Sequence, residues 1–164
     1  MASRTAWVAG NISGNLSWAS AFNSADLAGM TNGQTVLSSV ADITNGTALD
    51  QFMDISYLLV IASSTIAAGA GFSFYIYSLN QDGTHYGDGQ LTTPGTPASI
   101  TPAMNPCAAG QIPAVASTTN MYNSLTGIII PPGSFRIAIQ NNSGFTLSGT
   151  QTVKYRTYNQ NLNA

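Results

Sequence analysis

Charge is nearly missing from this sequence. Only 6% of its 164 residues are charged, where an ordinary soluble domain carries about 25%, and glutamate does not occur at all. The six acids are all aspartates, at positions 26, 42, 50, 54, 82 and 88, too scattered to announce the paired carboxylates that hydrolyse glycosides. Asp50 and Asp54 come nearest to a pair; on a strand they share a face but stand several residues' rise apart, which predicts two solvated carboxylates at a sheet edge. The cations are only Arg4, Arg136, Lys154 and Arg156, so no basic stripe exists to follow a phosphate backbone, and nucleic acid is excluded as a direct partner. Cys107 stands alone, which rules out an intrachain disulfide and gives no metal-ligand spacing. His85 is the single histidine; without a Gly-x-Ser-x-Gly elbow to supply a nucleophile it predicts an exposed loop side chain, and no enzyme. The longest apolar runs, residues 57–62 and 128–132, fall far short of the roughly 20 residues that span a bilayer, so no membrane partner is expected. Residues 1–10 lack a basic flank and an apolar stretch of signal-peptide length, which predicts synthesis in the cytoplasm.

What the chain does have is hydrophobic side chains, 44% of the total, recurring in patterned clusters that a disordered segment would not contain. Its outward faces must therefore be built from Ser, Thr, Asn, Gln and Gly. Such a surface repels its neighbours weakly and tolerates permanent close contact.

Alternation of period two dominates and predicts strands with one face turned inward. In residues 51–62, Met53, Ile55, Tyr57, Leu59 and Ile61 share a face. Residues 71–79 set Phe72, Phe74 and Ile76 against Ser73, Tyr75 and Tyr77 and end at the turn signal Asn80-Gln81-Asp82-Gly83. A buried strand over 125–130 stops at Pro131-Pro132-Gly133. The next, from Ser134, points Phe135, Ile137 and Ile139 inward; Phe145 and Leu147 suggest a short strand. Residues 152–158 read as a closing strand whose outer side chains, Lys154, Arg156 and Tyr158, discourage edge pairing. Residues 34–41 and 5–9 supply two more. A helix is predicted over 20–30, capped by Ser24, and the long stretch 80–110 reads as a loop of the functional or partner-ordered kind. About eight strands without βαβ alternation predict an all-β fold, an antiparallel β-sandwich or jelly roll with at most one short helix. The expected division is an arm at 1–30 and one sandwich domain at 31–164.

No catalytic, cofactor-binding or metal-binding residue is expected. Residues 80–88 open like a calcium loop but lack the carboxylates and the closing Glu. Candidates for an interface are the aromatics Trp7, Trp18, Phe22, Tyr86, Tyr155 and Tyr158, which can anchor a protein contact or stack on sugars.

Three stretches also carry a resemblance. The run Phe22-Asn23-Ser24-Ala25-Asp26-Leu27 with Asn32-Gly33-Gln34-Thr35-Val36-Leu37-Ser38-Ser39, the run from Tyr77 to Gly89, and Ile130-Pro131-Pro132-Gly133-Ser134-Phe135-Arg136 resemble tailed-bacteriophage capsid cement, or head decoration, proteins. The resemblance implies a jelly-roll virion protein on the outer surface of an icosahedral head, made in the host cytoplasm, clamping the major capsid protein and associating with itself as a homodimer or homotrimer. It implies no catalytic residue and no cofactor. The rival expectation is a carbohydrate-binding β-sandwich of a phage adhesin, with Trp7, Tyr86 or Tyr158 stacked on sugar rings.

Overall fold

The computed structural model describes residues 4–10, 16–61, 69–86, 93–99, 108–111 and 120–163. Among the described residues ten strands run in the order β1 (Arg4–Ala9), β2 (Ala19–Ser20), β3 (Thr35–Leu37), β4 (Ile43–Thr44), β5 (Phe52–Val60), β6 (Gly71–Ser78), β7 (Ala108–Gln111), β8 (Asn120–Ile129), β9 (Ser134–Asn142) and β10 (Thr152–Asn163). They form two five-stranded antiparallel sheets. The first has the order β1-β10-β5-β8, with β2 continuing the β1 edge alongside β10; the second has the order β3-β9-β6-β7, with β4 continuing the β3 edge alongside β9. The chain crosses between sheets at most connections, and this interleaved order makes the sandwich a jelly roll.

The period-two pattern explains the core. Met53, Ile55, Tyr57 and Leu59 of β5 face Phe72 and Phe74 of β6 and Phe135, Ile137 and Ile139 of β9, all buried in one cluster. Tyr57 stacks on Phe74 with ring centroids 5.4 Å apart. Leu27 and Met30 lie in the same cluster and are fully buried, and β1 and β2 belong to the first sheet, so residues before 31 contribute both strands and core. Gly10 marks a close crossing: its N–H donates to Thr157 O, and a Cβ there would come within 2.4 Å of the Thr157 backbone.

The helix predicted over 20–30 is absent. Residues 24–29 form successive turns with hydrogen bonds from Asp26 N to Asn23 O, Ala28 N to Ala25 O and Met30 N to Leu27 O. Other backbone groups are claimed from elsewhere: Gly29 N donates to Leu147 O, Leu147 N donates to Met30 O, and the Asp26 carboxylate turns back to accept from Asn23 N. Long-range partners therefore replace the continuous i→i−4 ladder that a helix requires. Leu147 makes only an isolated bridge to Ile61, not a strand. β10 is no edge either: it lies between β1 and β5, so its charges do not guard an edge.

Phe74→Ala should lower the unfolding free energy by about 3–5 kcal/mol, the range for emptying a phenylalanine site in a packed core, as measured by urea denaturation.

Candidate functional site

The two outer faces differ in what covers them. On the second sheet, Tyr75 and Tyr77 of β6, Leu37 of β3 and Ala138 of β9 point away from the core. The chain itself covers them: Leu79, Tyr86 and Ala98 close over these side chains as a second buried cluster. Bridges from Ala98 to Thr35 and from Tyr86 to Leu79, and a bond from Gly95 N to Leu37 O, fasten that cover. Its polar lock is Asp42, which accepts from both the Tyr86 hydroxyl and Arg136 Nε; the Arg136 guanidinium also lies over the Tyr86 ring at 5.5 Å. Burial works against the Asp42 charge, but the bonds from Tyr86 and Arg136 outweigh it and hold the carboxyl below its ordinary pKa.

Among the described residues the outer face of the first sheet has no such cover. β10 turns Lys154, Arg156 and Tyr158 outward, in register with Ser56, Asp54 and Phe52 of β5. Trp7 on β1 is 61% exposed, and on β8 Tyr122 and Ile129 are 71% and 76% exposed. Trp18, Leu16 and Leu49 add exposed apolar surface around them. Depressions among the described residues of this face include three. One of about 600 Å³ has Leu49, Phe52, Ile129 and Pro132 in its walls. One of about 300 Å³ lies between Trp7, Leu16, Asp54, Arg156 and Tyr158. One of about 190 Å³ lies between Trp18, Leu58, Tyr122 and Lys154. Large exposed apolar side chains grouped on one sheet face mark interaction sites.

Asp54 organises the face. The β5–β8 register shifts between Met53 and Ile55, so that Thr126 and Gly127 stand opposite Asp54 alone. This is a β-bulge, and Gly127 supplies the positive φ (73°) that it needs. The bulge aims Gly127 N at Asp54 Oδ1, 3.0 Å away. The Tyr158 hydroxyl donates to the same oxygen at 2.9 Å, and Arg156 Nε and Nη2 reach Oδ2 at 3.0 and 2.9 Å. Arg156 is held from its other side by Trp18, 4.7 Å from guanidinium carbon to ring centroid, a cation–π contact. Phe52 and Tyr158 stack at 5.7 Å, and Trp7 stands edge-on to Tyr158 at 5.2 Å.

The aromatic candidates therefore part company. Trp7 and Trp18 line the open face, and Tyr158 lies in it, though only 9% exposed beneath Trp7. Tyr155 points to the opposite side of the sheet and packs against the main core, where Phe22 is buried too. Tyr86 is 8% exposed and committed to Asp42. Neither Tyr86 nor Tyr158 presents a ring face on which a sugar could stack. The expected solvated acids are also buried: Asp54 in the network above, and Asp50 accepting from Asn159 Nδ2. The calcium-like stretch closes on itself, with Asp82 accepting from Thr84 N, His85 N and the His85 ring. The two backbone bonds, with the histidine, bring Asp82 down to about 2. His85 is exposed as expected. Cys107 and Asp88 lie outside the described residues. Among the described residues no three His, Cys, Asp or Glu side chains cluster as a metal site, and no helix is long and apolar enough to cross a membrane.

Sequence reasoning missed Tyr122, Ile129, Leu49 and the role of Asp54. One signal was present: in Ile128-Ile129-Ile130 the outer two are buried and the middle one is exposed, so an unbroken apolar run on an alternating strand already implied apolar side chains on both faces. Compared with protein-family models, with curated proteins and with solved structures, the chain matches none of them.

Two outcomes test this geometry. Asp54→Ala leaves Arg156, Tyr158 and Gly127 N without their acceptor and should cost roughly 2–3 kcal/mol, at the low end for a broken buried pair because Arg156 is one-third exposed; denaturant melts measure it. Burial raises the pKa of Tyr57, Tyr86, Tyr155 and Tyr158 above 10, with Asp42 adding to the rise at Tyr86 and Asp54 at Tyr158. The fold thus favours their neutral phenols: this contribution is complete below about pH 10 and is lost as pH climbs through the raised values. Stability should be unaffected by these groups up to about pH 10 and fall beyond it, in step with late tyrosinate absorbance in a spectrophotometric titration.

Proposed function

We propose that this chain is a non-catalytic assembly protein that attaches through the open face of its β1-β10-β5-β8 sheet to a repeated protein surface. The observation that carries the proposal is the asymmetry of the sandwich: one outer face is sealed by the chain's own loop, and the other displays Trp7, Tyr122 and Ile129 to solvent. The acids described on or near that face spend their oxygens on internal bonds, so the face offers contact area in place of a reactive group.

The particular assembly we infer, from the residues that resemble head decoration proteins, is the outer surface of a tailed-bacteriophage capsid. There the chain would bind the major capsid protein as a cement protein, after synthesis in the host cytoplasm and with self-association as a dimer or trimer. Low surface charge suits crowding at many equivalent positions, and repetition or oligomerisation raises avidity without stronger single contacts. The carbohydrate reading keeps only Trp7 of its three proposed stacking residues.

Quantitative gel analysis of purified particles should find hundreds of copies of the chain. Purified protein should rebind heads stripped of it and raise their resistance to heat, because a ligand that binds only the intact shell stabilises it by mass action. Ile129→Asp and Tyr122→Asp, at positions already exposed, should abolish rebinding and leave the melting temperature of the free protein within a few degrees. A handful of copies, or binding to a glycan array lost on Trp7→Ala, would overturn the proposal.

A further inference from the structure

The three depressions of the open face follow one another along β5. The first has Phe52 in its wall, the second Asp54, and the third Ser56 with Leu58. Steps of two residues on a strand are about 6.8 Å, which is also the spacing of same-side side chains along any extended peptide. By their β5 residues the first two depressions stand one such step apart and the third one to two steps further on. The walls of this groove are mainly apolar, and the narrowing from about 600 to 300 to 190 Å³ gives it a direction: a large side chain fits the Phe52 end and a small one the Leu58 end.

Charge decides what kind of chain fits. Arg156 is neutralised by Asp54, whereas Lys154 is exposed at the narrow end of the groove. The carboxylates of Asp50 and Asp54 are buried at 2% and 3% exposure and already accept hydrogen bonds. Two copies of this face brought together would offer Lys154 no exposed acid among the described face residues, so a second copy leaves that charge unpaired and is disfavoured as occupant.

We propose that the groove takes an extended, mostly uncharged peptide arm of the neighbouring shell protein. The arm runs along β5 with alternate apolar side chains in the three depressions, the largest against Phe52 and Ile129, and with a carboxylate beside Lys154. This rests on the assembly reading above and names the partner's chemistry at that same face.

The test uses assembled particles. Tyr122 and Ile129 bracket the groove on β8, about 20 Å apart along the strand, and both are exposed enough to be replaced by p-benzoylphenylalanine in the full chain. Irradiation followed by peptide mass spectrometry should map both cross-links to one segment of the shell protein, six to eight residues apart and in a fixed order. Lys154→Glu should lower rebinding to stripped heads roughly three- to tenfold, and Lys154→Arg should restore it, as expected for a rim charge pair. Cross-links that scatter over separate parts of the partner, that join two copies of this chain, or that capture a glycan overturn the arm, and unchanged binding by Lys154→Glu overturns the carboxylate. Particles that carry the chain but give such cross-links sink the arm alone; particles without the chain sink the assembly reading with it.

Discussion

One carboxylate holds the open face together. Asp54 sits on β5, accepts from Arg156 and Tyr158 on β10, and accepts from the backbone of β8 at Gly127. Three neighbouring strands thus converge on two oxygen atoms in a chain with very few charges to use. The arrangement needs the β-bulge, because only the extra residue on β8 swings the Gly127 N–H toward the acid, and the bulge needs a residue at ease with positive φ. Without the acid, the guanidinium that lies on Trp18 and the hydroxyl beneath Trp7 would each lose the bond that fixes them. Trp18 and Tyr158 are consequently preset, and ordering them on contact costs little further entropy, which is the ordinary route to useful affinity from a modest surface.

The opposite face shows what the same chain does when a sheet surface is to be closed. Asp42, Tyr86 and Arg136 repeat the same elements, an acid between a phenol and a guanidinium with a cation–π contact, but there they tie down a loop. The two networks use two of the six aspartates and two of the four cations. Scarcity of charge and asymmetry of the faces are therefore connected: these two networks spend their acids and guanidinium groups on cross-linking elements, while Lys154 and Asp82 stay exposed.

Much of this was legible in the sequence. Alternation identified β5, β6 and β9 with the correct inward faces, since a residue on the wrong side of a strand would bury a polar group, and the Pro131-Pro132-Gly133 stop fell where β8 gives way to β9. What was not legible depended on partners distant in sequence. The turns at 24–29 look helical until Leu147 claims their backbone. Tyr75 and Tyr77 look solvent-facing until Leu79, Tyr86 and Ala98 close over them, and Tyr158 looks exposed until Trp7 and Phe52 enclose it. β7 begins inside the stretch 80–110, whose composition reads as loop, because Ala108–Gln111 has no alternation of its own. Asp54 is an unremarkable acid in a strand, and nothing near it in sequence names Gly127, Arg156 and Tyr158 as its partners.

The strand register also explains why the aromatic end of the face is where a partner would matter most. β10 pairs with β5 only as far as Tyr158, and beyond that Asn159–Asn163 pairs in ladder fashion with β1 alone, from Val8 back to Arg4. A two-stranded ribbon is marginally stable by itself in water. Gln51 helps at its base, donating from its backbone to Asn159 Oδ1 and accepting from Gln160 N. Trp7 stands on this ribbon, in the wall of the depression it shares with Asp54, Arg156 and Tyr158. Anything bound there covers Trp7 and supplies packing that the ribbon lacks, so the free energy of docking and that of holding the ribbon closed are linked. The face is therefore firm at Asp54, which clamps three strands, and less firmly held beyond Tyr158, where one ladder holds the backbone.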